Sequence, residues 1–175
     1  MDEPRREAFT HHILLGEVAF QTELAANAAE RLPACADEPF DSVEVWSAIQ
    51  SILAAAANVS KLLWPSPERA ARGKALRALL GVDEPNPLSD RKFRNHFEHY
   101  DERIEDWMSK CHTTVYSDQK IGPVAFDSSS LPQFVHRHYD PCTKELIFRG
   151  ETTSIAETLE ELKSIRRKCA SFVLT

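Results

Sequence analysis

One stretch of the chain groups side chains able to work on a phosphodiester: Arg94-Asn95-His96-Phe97-Glu98-His99. A histidine exchanges protons near neutral pH, a guanidinium binds phosphate through a fork of donors, and an amide can fix which imidazole nitrogen carries the proton. Asn95 and His99 are four apart and neighbours on one helical face, so the amide is placed to orient the ring. Arg94 and His99 are five apart, about 140° around a straight helix, so they converge only through a second copy or an irregular turn near Pro85-Asn86-Pro87. A plainer arrangement uses the same residues: Arg94 pairs with Glu98 at i,i+4, and the histidine is satisfied at a helix interface.

Two further groups compete for attention. His136-Arg137-His138 sets two imidazoles on one side of a strand, half of a metal site, but no third ligand lies nearby; His11, His12 and His112 would have to arrive by folding. No metal or other cofactor is expected. Arg69, Arg72, Lys74 and Arg77 face a single neighbouring acid, Glu68, and with Arg103 they offer a local path for RNA. Elsewhere the balance is unfavourable to polyanions, with 21 basic against 27 acidic residues and a net charge of -6. Glu98, Asp101 and Glu102 repel phosphate close to the motif itself.

The motif needs a helix to carry it. Phe93, Phe97, Tyr100, Ile104 and Trp107 recur at steps of four and three, a narrow apolar stripe, so a fourth helix is predicted from Ser89-Asp90 to about Cys111. His96 and Arg103 are expected on its shoulder. Before it come a long helix from about Pro4 to Arg31, a second from Asp41 or Ser42 to Trp64-Pro65, and a third over Pro67–Leu80 ended by Gly81. After it, Phe134–Tyr139 and Glu145–Arg149 flank the five residues Asp140–Lys144 and predict a β-hairpin. A fifth helix over about 154–171 places acids early and bases late, in the order that suits the helix dipole. The fold class expected is mainly α: a helical bundle of about five helices in one domain spanning 1–175, with one hairpin inserted at about 133–149.

The 175 residues suit one core. Cys35, Cys111, Cys142 and Cys169 show no C-x-x-C spacing and are read as reduced thiols. Met1–Glu7 lacks the apolar core of a secretory signal and no run reaches the length of a membrane span, so a cytoplasmic location without membrane contact is expected.

Arg94-Asn95-(x3)-His99 resembles the R-x4-6-H motif of HEPN domains, which favour a polar residue directly after the arginine; Phe97, His99-Tyr100-Asp101 and Trp107 add to the likeness. The resemblance covers about residues 5–112 with the final helix and leaves 113–150 unexplained. It implies a helical homodimer in which two motifs face one another across a cleft, and in active members a metal-independent ribonuclease. His99 would then be general acid/base, Arg94 would hold the scissile phosphate and Asn95 would orient His99. The alternative is a non-catalytic module that binds a protein or small molecule, or that serves dimerisation alone.

Overall fold

The computed structural model describes residues 2–34, 39–110, 116–123 and 135–172. Cys35, Cys111, His112 and Phe134 lie outside the described residues, as does the start of the expected insertion.

Local signals explain most helix boundaries. Asp2 caps α1 (Glu3–Ala29) by accepting the Arg5 amide at 3.1 Å, with a proline in the first turn. Asp41 caps α2 (Ser42–Leu63), receiving the amides of Val43 at 2.7 Å and Glu44 at 3.3 Å. A 3-10 turn at Pro67–Arg69 leads into α3 (Ala70–Leu80), and Gly81 closes it in the left-handed conformation that glycine adopts without a Cβ clash. The fourth element differs from expectation. Pro87–Ser89 forms a 3-10 turn, and the helix proper runs as α4 (Lys92–Glu98) and α5 (Tyr100–Lys110), with a turn at His99. The break is narrow, because the His99 amide still reaches Asn95 O at 3.0 Å and the Arg103 amide reaches His99 O at 3.1 Å.

In place of an inserted hairpin alone there is an open mixed sheet: β1 (Lys120–Ile121), β2 (Arg137–Asp140), β3 (Glu145–Phe148) and β4 (Glu151–Ser154), in that spatial order. The expected hairpin is its centre, β2 antiparallel to β3 with Tyr139 opposite Leu146, joined by residues 141–144. Asp140 Oδ1 folds that connection by accepting the amides of Cys142 and Thr143. Strand β4 extends the sheet antiparallel to β3, and β1 adds to β2 in parallel. Both escape sequence patterning, since Lys120–Ile121 is two residues long and Glu151-Thr152-Thr153-Ser154 has no apolar face. α6 (Ile155–Cys169) follows directly. The fold is thus mainly helical, with six α-helices and a four-stranded sheet among the described residues. No described helix is long and apolar enough to cross a membrane.

Two compact units divide the chain, one from residues 1–30, 51–91 and 157–175, the other from 31–50 and 92–156. The first is a helical core: Leu15, Val18 and Ala25 of α1 pack with Val59 and Leu63 of α2, Leu76 and Leu80 of α3, and Leu162 and Ile165 of α6. Gly73 lets α3 approach the end of α2, where a Cβ would lie 2.4 Å from Pro65 Cδ and 2.7 Å from Leu63 O. Cys169 is a buried thiol, its pKa pushed up to about 11 by burial, and Cys142 lies exposed at the surface. In the second unit α4 and α5 lie against the sheet. Lys92 and His96 both reach Glu151, at 2.8 and 3.0 Å, and Arg149 meets Asp106 at 3.6 Å.

Candidate functional site

The motif occupies α4 and the turn that follows. Asn95, Glu98, His99 and Glu102 are all exposed, and Arg94 is partly so, which leaves this polar run open to solvent. Arg94 Nη2 is ion-paired with Glu98 Oε1 one turn on, the plainer arrangement expected for it. His99 Nδ1 meets Glu102 Oε1 at 3.3 Å. Arg94 and His99 are therefore each held by a carboxylate of their own helical run, and within the chain the three motif side chains do not converge. Exposed pairs of this kind contribute only ~0.3–0.5 kcal/mol and exchange readily with another anion.

His96 lies elsewhere. It is buried, stacked on Phe148 with ring centroids 4.6 Å apart and planes 6° from parallel, and its Nε2 meets Glu151. The expectation of a shoulder residue is corrected: the helix turns His96 onto β3, so the apolar seam includes an imidazole. The hydrogen bond from Lys92, aided by His96 and opposed by burial, holds the Glu151 carboxyl below its usual range.

The basic residues of α3 and its leading turn have mixed fates. Arg72 Nη2 donates to Lys61 O at 3.1 Å, and Arg77 donates to Leu63 O while pairing with Glu84 at 3.1 Å and lying over Trp64. These two guanidinium groups satisfy carbonyls that the end of α2 leaves without helical partners. Arg69 and Lys74 are exposed. Arg103 is half-buried, its Nε without a partner among the described residues, and its carbonyl accepts from Arg149 at 3.3 Å.

A second cluster was not anticipated. Asp118 accepts from Arg137 Nε at 2.9 Å, from its Nη2 at 2.5 Å and from its backbone amide at 3.1 Å, and the Tyr100 hydroxyl donates to the same carboxylate at 2.6 Å. The guanidinium lies 4.2 Å from the Tyr100 ring centre and 5.7 Å from those of Trp46 and Phe97. Burial alone would raise the Asp118 pKa, but the hydrogen bonds from Arg137 and Tyr100, with the Arg137 charge, outweigh it and hold the carboxyl below its usual range. Burial, and then the bond to Asp118, push the Tyr100 hydroxyl upward. Only about a tenth of either ionic side chain is exposed, at 10% and 11%, so the pair ties β2 to α5 and leaves little room for a ligand.

Beside it, His136 is 1% exposed and packed among aromatic rings, with Trp107 at 4.8 Å and Tyr116 at 5.1 Å between centroids. Neither of its ring nitrogens finds a partner among the described residues, and burial, followed by the Arg149 charge, depresses its pKa. His138 Nε2 is engaged by Gly122 O at 2.7 Å. Among the described residues no group of three or more potential ligands is arranged to hold a metal ion. The Tyr139 hydroxyl is buried without a partner among the described residues, its pKa pushed up to about 12 by burial and by the Asp140 charge.

Asp118 and Arg137 lie 19 residues apart, in a segment that reads as loop and strand, so no local pattern joins them. The one available signal was a strand of polar residues, Arg137-His138-Tyr139-Asp140, all four of which are buried. No protein-family model, no curated protein and no solved structure matches the chain.

Proposed function

We propose that the chain works in the cytoplasm as a HEPN-like homodimer that cleaves RNA without a metal ion, using Arg94, Asn95 and His99 from two copies. The observation that supports this is the accessibility of the motif: Asn95 on α4 and His99 in the turn that follows stand in solvent, with Arg94 partly exposed beside them. In the reaction His99 takes the proton of the 2′-hydroxyl or supplies one to the leaving oxygen. Arg94 exchanges Glu98 for the scissile phosphate and stabilises the charge that develops on it. Asn95 orients His99, and the product carries a cyclic phosphate end. Arg69 and Lys74 guide the strand, whereas Arg72 and Arg77 keep their roles at the end of α2.

The reading is tested by incubating chelator-treated protein with mixed RNA and comparing the wild type with His99→Ala. Cleavage by the wild type alone, leaving cyclic phosphate ends, is the expected result. Equal cleavage by both proteins, or none by either, overturns the catalytic claim. One observation favours a second reading, a non-catalytic binding or dimerisation module for a protein or small-molecule partner: Glu98 and Glu102 lie directly against the Arg94 and His99 side chains. On that reading Arg94→Ala or His99→Ala weakens partner binding, and no RNA is cut.

A further inference from the structure

His99 and Glu102 are three residues apart on a run that stays helical in pitch through the turn at His99. The His99 amide reaches Asn95 O at 3.0 Å, and the Arg103 amide reaches His99 O at 3.1 Å. Side chains at i and i+3 are neighbours on such a run. The contact they make involves one ring atom: Glu102 Oε1 meets His99 Nδ1 at 3.3 Å, a long hydrogen bond. A neutral imidazole has one nitrogen that donates and one that accepts, and an ionised carboxylate can only accept. Facing Glu102, Nδ1 is therefore the nitrogen that carries the proton, and the lone pair is left on Nε2 across the ring. The His99 side chain is 52% exposed, so the ring is held at one nitrogen and reachable from solvent.

We propose that Glu102 is a positioning residue for His99: it fixes the tautomer protonated at Nδ1 and so makes Nε2 the nitrogen open to proton exchange. For its chemistry this rests on the ribonuclease reading. The two carboxylates beside the motif then have different parts. Glu98 sits on the guanidinium that takes the phosphate, so it has to leave. Glu102 sits on the nitrogen that the substrate does not use, so it stays throughout. When Nε2 receives the 2′-hydroxyl proton the ring becomes an imidazolium, its Nδ1 proton still on Glu102, and the carboxylate stabilises the charge just formed. Orientation by Asn95 requires the second copy, because within the chain the two side chains do not converge, whereas Glu102 is in place in each copy alone. An exposed contact of this kind should change the rate by about two- to fivefold.

Two-bond proton–nitrogen NMR spectra of the full chain, taken at about pH 8.5 where an ordinary imidazole is neutral, read the tautomer of each ring directly. The spectrum of His99→Ala identifies the His99 signals. The wild type should show His99 protonated at Nδ1. In Glu102→Ala that preference should be lost, and in Glu102→Gln it should be lost or reversed, because the new amide can donate to Nδ1. Asp101→Asn removes the same charge from the neighbouring position and should leave the tautomer as in the wild type. In the cleavage assay Glu102→Gln should lower kcat by about two- to fivefold with KM unchanged or lower, and Glu102→Asp should recover part of the loss. The sign separates this role from that of a merely repulsive acid, whose removal would favour phosphate binding and raise kcat/KM. A wild-type His99 ring protonated at Nε2, a tautomer indifferent to Glu102, or Glu102→Gln cleaving as fast as the wild type or faster each overturns the proposal. A wild type that cuts no RNA yet holds Nδ1 protonated through Glu102 sinks the ribonuclease reading instead and supports the assignment of the ring.

Discussion

Changing Asp118 to asparagine removes one charge and almost no volume, which isolates what the carboxylate does. It is the common acceptor for three donors of Arg137 and for the Tyr100 hydroxyl. Without it the guanidinium stays nine-tenths buried and uncompensated, and breaking a buried pair from one side costs about 3–5 kcal/mol. The Tyr100 ring, 4.2 Å away, retains part of the attraction, with an interaction of ~0.5–2 kcal/mol, so the loss should fall near 3 kcal/mol. In a chain of this length that corresponds to a fall in Tm of roughly 6–12 °C. Urea unfolding followed by the fluorescence of Trp46 and Trp107, in the same unit as the pair, measures it. The double variant Asp118→Asn with Arg137→Met should lose much less than the sum of the two single changes, because the stranded charge is gone. Acid provides a second readout. The depressed Asp118 pKa contributes stability that is fully present above the unfolded value of about 3.9 and is lost as pH falls through the folded value; Asp118→Asn lacks that slope. A loss below about 1 kcal/mol with an unchanged acid slope would refute the assignment.

Two other perturbations probe the rest of the molecule. Gly73→Ala should destabilise the first unit by about 1–3 kcal/mol in denaturant titration, since its Cβ meets the Pro65 ring and the Leu63 carbonyl; a neutral outcome would mean that α3 can withdraw from α2 freely. His136 is held neutral in the folded chain, so stability should decline as pH falls below the unfolded value of about 6.5 toward the folded one, by up to ~1.4 kcal/mol per pH unit. His136→Phe should flatten that part of the profile, and a slope unaltered by the substitution would remove His136 as its source.

Much of the helical frame is legible in the sequence because its signals are local. Asp41 and Gly81 act where capping chemistry requires them, and Trp64-Pro65 stops α2. The sheet is less legible, since β1 and β4 lack alternation and gain their pairing from β2 and β3. Among candidate residues, the Arg94–Glu98 pair follows from i,i+4 geometry alone. By contrast, the burial of His96 against Phe148 and the grip of Asp118 on Arg137 depend on partners far along the chain. A polar strand such as 137–140 reads as exposed until a carboxylate, a carbonyl and a turn are folded onto it.

The central claim is that one working site draws Arg94 from one copy and His99 from another. Mixing two inactive proteins, Arg94→Ala and His99→Ala, tests it without any structural assumption, because a mixed dimer contains one site with both groups intact. After subunit exchange the mixture should regain RNA cleavage, to about a quarter of the wild-type rate, while each variant alone stays inactive. A mixture as inactive as its components, under conditions where exchange is verified and the wild type cleaves, would contradict a shared site.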